Sequence, residues 1–295
     1  MTPPTILDYY DRHEYMSWSQ LKRWIPELGG CPAAAHAEYV ARTWKRKGAE
    51  CMGLGALLHA VVLDPDDTDR VLEEYREHLH TAKGVPTAGH KRMLQQGAEL
   101  REHPLGVSML DGAQCEGIYT FELGGVPWKM RVDIVNNRTR RIVDLKRMGQ
   151  MYRKQFSEYY MAYVDTIDLM HYYGQMSLYQ TGLERSEGET MDIGIWGATP
   201  PDAKTGEFDT EYFSLDNTEK IEHYARMTRE WNQIIAEWKT WEPRDLPRCD
   251  PYHASNMERV LPRDAAPCGW CRNHRESYAH SHIGATYDPD KRPRR

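Results

Sequence analysis

The chain has 295 residues, of which 40% are hydrophobic and 28% are charged, and its formal net charge is −6. This composition predicts a folded globular protein, with one large domain or one domain and an appendage, and excludes an intrinsically disordered chain. No run approaches the roughly 18 apolar residues that a membrane span needs. Residues 1–8 lack the basic and apolar regions of a secretory signal. We therefore expect a cytoplasmic protein whose six cysteines are thiols or metal ligands rather than disulfides.

The distribution of charge does not decide whether the protein binds nucleic acid. Proteins that coat DNA usually carry a basic excess, whereas this chain is acidic. Basic residues are nevertheless clustered in four places, at 45–47, 138–141, 153–154 and 291–295. Each cluster taken singly is more typical of a solvated surface, so the function must be sought in other patterns.

The first hundred residues are predicted to be helical. Ser17 is a candidate N-cap for a short helix that ends near Pro26. Helical spacing continues in three further segments, which are 33–44, 52–63 and, with a glycine-rich break at 84–89, 70–105.

From residue 117 the hydrophobic period changes to that of β-strands. Three segments alternate or carry β-branched residues and are separated by turn signals, which predicts a meander of strands at 117–123, 128–135 and 141–146. Helical spacing returns at 152–183, two more strands are predicted at 191–198 and 211–215, and Asp216 is expected to cap a long final helix. This order predicts an α/β fold in which helices cover a sheet.

The second and third predicted strands each carry an acid within an apolar run. Asp133 and Asp144 are unfavourable at such positions, because strands and cores disfavour an isolated carboxylate. A two-residue turn at 138–139 would place them directly opposite each other, with Cβ atoms about 5 Å apart. Lys146 lies two residues beyond Asp144 and therefore points to the same face. Two carboxylates and a lysine on one face predict a site for a hard cation such as Mg²⁺.

The hairpin alone leaves a second interpretation open. The same three residues could form an ordinary cross-strand ion-pair network on a solvated face. The spacing of two aspartates ten residues apart, followed by a lysine, also occurs by chance. Further motifs are needed to choose between the two interpretations.

Four motifs in this order resemble the PD-(D/E)XK nuclease superfamily, and more narrowly the RecE-type exonuclease domain (exodeoxyribonuclease VIII). They are a glycine-rich helix with a histidine before a proline-acidic turn, the first acid, the second acid with its lysine, and a helix with a glutamine and a tyrosine. In this chain they read GLGALLHAVVLDP at 53–65, RVD at 131–133, VDLK at 143–146 and YYGQMSLY at 172–179. The resemblance covers about residues 15–185.

The resemblance implies a restriction-endonuclease-like core, with a mixed central β-sheet flanked by helices. It implies that His59 and Asp133 are metal ligands, that Asp144 bridges the metal and a water, and that Lys146 activates or orients the nucleophile. The implied metal is Mg²⁺ or Mn²⁺. Without the resemblance, His59 would more often be a satisfied core histidine than a metal ligand.

Three more residues are candidates for the same site. Glu116, just before the first predicted strand, could help to hold the metal or could be a surface acid. Gln175 and Tyr179 are four residues apart and share one helix face. We expect this pair to contact DNA phosphate or to support the catalytic acids.

The cysteines suggest a second cofactor. Cys268 and Cys271 form a C-x₂-C knuckle, for which Cys31 and Cys249 are further candidate ligands, with His253 and His274 as alternatives. The arrangement resembles the AddB and CRISPR-associated nucleases, whose [4Fe–4S] cluster is held by one N-terminal cysteine and three C-terminal ones. An iron–sulfur cluster, a Zn²⁺ site and unligated thiols all remain open.

We expect residues 1–245 to form the nuclease domain with its N-terminal helical part. Residues 246–295 would be a cysteine-containing segment and basic tail that pack on it. By the resemblance, the protein is a DNA exonuclease that acts on DNA ends in recombination or repair, of phage or prophage origin. A single-strand annealing protein and further copies of the chain are the implied partners, and no membrane is involved.

Two alternatives to this function are kept. One is a CRISPR-associated type of nuclease that trims single-stranded DNA. The other is a catalytically silent DNA-binding module with the same fold. A third and weaker hypothesis is a small-molecule metalloenzyme, which the basic clusters and the family resemblance disfavour.

Overall fold

The computed structural model describes residues 3–6, 8–45, 50–157, 159–241 and 246. The expected segment 246–295 lies outside the described residues except for Leu246, and the predicted division into two parts therefore stays a prediction. Among the described residues, no helix has both the length and the apolar character needed to cross a bilayer.

A five-stranded mixed sheet forms the centre of the fold, in the order β1-β2-β3-β6-β7. Only β3 and β6 are parallel neighbours, and the other adjacent strands are antiparallel. The predicted meander and the α/β class with a mixed, helix-flanked sheet are confirmed. The strands are β1 (Gln114–Leu123), β2 (Val126–Asn136), β3 (Arg141–Arg147), β6 (Asp192–Ala198) and β7 (Thr210–Ser214), while β4 (Gln155–Ser157) and β5 (Ala162–Val164) form a separate hairpin.

Ten α-helices surround the sheet in the described part of the chain. Ser17 caps the first of them, as predicted, because its Oγ accepts a hydrogen bond from the Gln20 backbone at 3.4 Å. The predicted break near 84–89 falls between the fifth and sixth helices. The helices are α1 (Trp18–Trp24), α2 (Pro32–Tyr39), α3 (Glu50–Leu63), α4 (Thr68–Glu74), α5 (Arg76–Leu79), α6 (Ala88–Glu102), α7 (Pro104–Leu110), α8 (Thr166–Leu169), α9 (Tyr172–Glu187) and α10 (Thr218–Trp238).

The prediction of helix throughout 152–183 is wrong for its first third. Strands β4 and β5 pair here as a hairpin, and they carry aromatic residues of the kind that favours strands. Asp165 then starts α8 by accepting a hydrogen bond from Asp168 N at 2.9 Å, and His171 at φ +57° separates α8 from α9. Two boundaries also differ, since α2 ends at Tyr39 and the N-cap of α10 is Asn217 rather than Asp216.

The sheet separates two hydrophobic cores. One lies on what we call the α9 face, where α1, α2, α9 and α10 pack, and contains Trp24, Met176 and Tyr224. The other lies on the α3 face, beneath α3 to α7, and contains Leu57 and Met93. Helices on both faces explain why consecutive residues of β3 and β6 are buried, rather than every second residue.

The α9 face depends on a close approach at Gly174. A Cβ atom at this position would lie 2.1 Å from Cη2 of Trp18 and 2.8 Å from Cδ1 of Tyr224. Both rings are buried, so neither can move aside without disturbing the core. Gly174 therefore sets how closely α9 approaches α1 and α10.

We predict that Gly174→Ala lowers the free energy of unfolding by about 1–3 kcal/mol, because the added methyl group overpacks the core. Gly55→Ala is the matched control, since a Cβ at this helical glycine meets nothing within 4 Å. Its expected effect is a gain of about 0.5–1 kcal/mol, from the smaller entropy of the unfolded chain. Urea unfolding of both variants measures the difference, and equal stabilities would contradict the packing argument.

Candidate metal centre and active site

The β2–β3 hairpin has the predicted register but a different turn. Its pairs are Ile134–Val143, Val135–Ile142 and Asn136–Arg141, so that Asp133 and Asp144 would form the next pair. The turn spans four residues, 137–140, instead of the two at 138–139. Because the two strands are shortened equally, the pairing is unchanged.

The backbone pairing of β2 with each of its two neighbouring strands is interrupted at Asp133. On the β3 side the ladder stops one pair earlier, and on the β1 side the pairs around it skip the opposition of Asp133 and Glu116. The Asp133 carboxylate instead accepts a hydrogen bond from the Leu145 backbone, at 2.8 Å from its Oδ2. The Asp133 side chain thus takes the place of a backbone carbonyl as the acceptor for a β3 N–H.

The side of the sheet to which alternate side chains of β2 point also changes at Asp133. Val132 belongs to the core of the α9 face, whereas Ile134 belongs to the core of the α3 face. Residues two apart on a regular strand point to the same side, so the pleat is interrupted at Asp133. The interruption opens Asp133 to groups from both sides of the sheet.

Three ligand-type side chains meet at the interruption. One ligand atom each from His59, Glu116 and Asp133 lies within 4.8 Å of the other two. His59 reaches the site from α3, and its Nδ1 lies 3.5 Å from Oδ2 of Asp133. The sequence placed His59 and Asp133 in the site and left Glu116 undecided, and the structure brings all three together.

Asp144 lies beside this group rather than within it. Its carboxylate is completely buried, and Oδ2 forms an ion pair with Nζ of Lys146. Oδ1 accepts a hydrogen bond from Nε2 of Gln175 at 2.7 Å, and the same amide lies 2.9 Å from the Tyr179 hydroxyl. Nζ of Lys146 also lies 5.7 Å from the centre of the Tyr172 ring. Gln175 therefore contacts Asp144 from α9, and Tyr179 contacts Gln175.

Burial shifts the protonation equilibria of the site residues. It raises the pKa of Glu116 to about 7 and the pKa of Asp144 to about 6, with neighbouring carboxylates adding to both effects. Burial also raises the pKa of Asp133. The pKa of His59 falls to about 4, because burial and the nearby Lys146 disfavour its cation, so the imidazole is in the neutral form that binds metals.

Glu116 is held in place by an unusual backbone and by an arginine. Its φ of +55° lies in the left-handed region, which costs a non-glycine residue about 1–3 kcal/mol. Its Oε2 lies 2.7 Å from Nε of Arg131. The strain is compatible with a functional position, because the surrounding strands fix the conformation.

The donor set fits a divalent cation. Oε2 of Glu116 and Oδ2 of Asp144 are buried, and the partners that the described residues give them are the cations Arg131 and Lys146. Carboxylate oxygens together with one imidazole nitrogen suit Mg²⁺ or Mn²⁺. A dication would relieve the repulsion among the acids that burial intensifies.

One basic residue near the site was missed by the sequence analysis. Burial and the charge of Lys146 together lower the pKa of Lys22 on α1 to about 8, although Asp144 acts in the opposite direction. Lys22 therefore lies close enough to Asp144 and Lys146 to feel both charges. It belongs to none of the motifs, and only the packing of α1 against α9 reveals it.

The structure describes one of the four expected cluster cysteines. Cys31 is buried at the N-cap of α2, next to Pro32. Cys249, Cys268 and Cys271 lie outside the described residues. The iron–sulfur and zinc assignments remain predictions.

Comparison with known proteins places this geometry in a family. The model of DUF3799, described as a PDDEXK-like domain of unknown function, matches residues 17–245. No curated protein matches the chain.

Two solved structures match the chain, and they share its fold to very different degrees. A putative exonuclease from Eubacterium rectale shares 22% sequence identity and a TM-score of 0.74, over 92% of this chain and 98% of that one. The protein SSO0001 shares 14% identity over 69% of this chain and 84% of its own, but a TM-score of 0.28 carries no argument. The first match supports the restriction-endonuclease-like fold. Through the match over residues 17–245, the chain belongs to the DUF3799 family of PDDEXK-like domains, within the PD-(D/E)XK nuclease superfamily.

Proposed function

We propose that the protein is a metal-dependent deoxyribonuclease that hydrolyses phosphodiester bonds. The observation that carries the proposal is the convergence of His59, Glu116 and Asp133 beside the buried Asp144–Lys146 ion pair. Membership of the PDDEXK-like family supports the same reaction. Mg²⁺ or Mn²⁺ is the proposed metal.

The chemistry requires positive charge where the phosphate becomes more negative. A divalent ion held by the acids and His59 would supply that charge and lower the pKa of a water molecule. Lys146 places an ammonium beside this position, and its pKa is raised because Asp144 and Asp133 stabilise the cation. Gln175 holds the carboxylate of Asp144 in place by donating to Oδ1.

The finer assignment is an exonuclease that acts on DNA ends in recombination or repair. It is supported by the RecE-type motif order and by the fold shared with a protein described as a putative exonuclease. A phage or prophage origin, a cytoplasmic location, a single-strand annealing partner and self-assembly are further implications of the RecE resemblance.

A catalytically silent DNA-binding module is the second candidate. A module without catalysis would have no physical reason to keep three acids crowded in a buried place, because unneutralised carboxylates destabilise the fold. The intact Lys146 argues in the same direction. Trimming of single-stranded DNA, as in the CRISPR-associated type, remains a choice of substrate within the same chemistry.

We predict that Asp144→Ala and Lys146→Ala each reduce DNA cleavage at least about 100-fold, because each removes a charge from the reacting centre. End-labelled linear and circular DNA, single- and double-stranded, is incubated with Mg²⁺ or with chelator. Lys91→Ala, which removes an exposed lysine of α6, should retain full activity.

Full activity in a folded Asp144 or Lys146 variant would refute the assignment of the site. Products from circular DNA would identify an endonuclease instead of an exonuclease. If the wild-type protein contains metal and cleaves none of the four substrates, the binding module is the correct function.

We predict that Mn²⁺ raises the thermal unfolding midpoint of the wild-type protein and has no such effect on Asp133→Asn. The substitution removes one ligand and also one buried negative charge, so that without metal it should be at least as stable as the wild type. Glu102→Gln, an exposed substitution on α6, should respond to Mn²⁺ like the wild type. Equal Mn²⁺ responses in all three proteins would exclude Asp133 as a ligand.

We further propose that Cys31, Cys249, Cys268 and Cys271 hold a [4Fe–4S] cluster, with Zn²⁺ as the alternative. Protein purified without oxygen should be brown with broad visible absorbance, and Cys31→Ser should lose most of it. Cys51→Ser is the control, because Cys51 is exposed at the start of α3. Colourless protein with stoichiometric zinc would favour the alternative, and the absence of both metals would leave plain thiols.

A further inference from the structure

The β4–β5 hairpin displays large apolar side chains to solvent. Phe156 is 49% exposed, Met161 70% and Tyr163 71%. Phe156 and Tyr163 are directly paired across the hairpin, and their ring centres are 5.6 Å apart at an interplanar angle of 69°. A cluster of this kind on a short hairpin is typical of a binding surface.

The hairpin is attached to the rest of the fold both at its base and at its turn. Thr166 Oγ1 donates to the Gln150 carbonyl at 2.6 Å, just outside the two ends of the hairpin. The Tyr160 hydroxyl lies 2.8 Å from that of the buried Tyr224 on α10. The exposed rings are therefore presented by an anchored element.

Along the chain, the hairpin lies between two elements that contribute side chains to the proposed active site. Strand β3, with Asp144 and Lys146, precedes it, and α9, with Gln175, follows it. Met148 and Met151, which lead out of β3, are buried and would be 2.6 Å and 3.1 Å from a Cβ at Gly197 on β6. The segment that carries the rings thus leaves the sheet directly beside the proposed active site.

Positive charge accompanies the rings. Arg153 and Lys154 are exposed immediately before β4, and neither has an ion-pair partner among the described residues. Cations next to exposed aromatic rings match the two chemical features of a single strand, which are phosphates and unpaired bases. A duplex offers phosphates but keeps its bases stacked inside.

We propose that this hairpin binds single-stranded DNA, with bases stacked on Phe156 and Tyr163 and phosphates next to Arg153 and Lys154. The inference rests on the proposed nuclease function, to which it adds a strand-binding site next to the catalytic centre. Stacking on aromatic side chains tolerates any base, so the site would hold the strand without selecting a sequence.

The test measures binding of a fluorescent single-stranded oligonucleotide by anisotropy, with chelator present to prevent cleavage. Phe156→Ala combined with Tyr163→Ala should weaken single-strand binding at least about 5-fold and leave duplex binding unchanged. Phe156→Tyr combined with Tyr163→Phe should keep the affinity, because rings remain. Val107→Ala, at a 52% exposed residue of α7, is the control for loss of surface hydrophobicity.

Salt dependence tests the cations separately. Replacing Arg153 and Lys154 by alanine should reduce the slope of log affinity against log salt by about 1.4, at roughly 0.7 for each phosphate contact on a single strand. An unchanged slope would remove the two cations from the site.

Two results would overturn the proposal. One is single-strand affinity that does not change when both rings are removed. The other is a drop in molecular mass by light scattering on removing the rings, without loss of DNA affinity, which would make the hairpin an interface between copies of this chain.

The experiments test the proposed nuclease function and the proposed strand-binding site separately. Ring variants that bind normally, together with an inactive Asp144→Ala, would refute only the hairpin. Ring-dependent binding by a protein that cleaves no DNA would refute only the nuclease.

Discussion

The crowding of three buried carboxylates is the constraint on which the rest of the site depends. Glu116, Asp133 and Asp144 lie within a low-dielectric region, and among the described residues Lys146 and Arg131 form their ion pairs with lysine or arginine. Burial raises the pKa of all three acids, because it disfavours their ionised forms. Such an arrangement is unfavourable for a purely structural purpose, because well-packed apolar residues would be more stable. A divalent cation is the simplest species that turns the repulsion into attraction.

The architecture of the sheet makes this crowding tolerable. Strand β2 gives up its regular pairing at Asp133, and the freed carboxylate is compensated by the backbone N–H of Leu145. The two layers of helices then approach from opposite faces, with α3 bringing His59 and α9 bringing Gln175. Glycine at position 174 permits α9 to lie close against α1 and α10. The site is thus assembled from both cores, and neither layer of helices would complete it alone.

Much of the fold was predictable because its local signals agree with the tertiary structure. Turn signals separate the three strands of the meander, and Ser17 caps α1 as its position suggested. The segment 152–183 was the main error, since its aromatic residues fit a helical spacing as well as a strand. Two local features mark the helix boundaries there. Asp165 is a typical N-cap residue that the prediction did not use, whereas the left-handed backbone of His171 has no strong sequence signature. Lys22 could not be found either, because its relation to the site arises only from helix packing.

The amino-acid sequence by itself determined the register of the β2–β3 hairpin and the facing of Lys146 toward Asp144. An antiparallel hairpin has a constant register and strands have a period of two, so these relations survive an error in the length of the turn. Only the tertiary structure decided that Glu116 joins His59 and Asp133 while Asp144 stands beside them. That choice depends on the interrupted pleat of β2, on the left-handed backbone of Glu116 and on contacts between residues dozens of positions apart. Periodicity describes which residues of one helix or strand share a face, whereas a metal centre is defined by the distances between residues on several helices and strands.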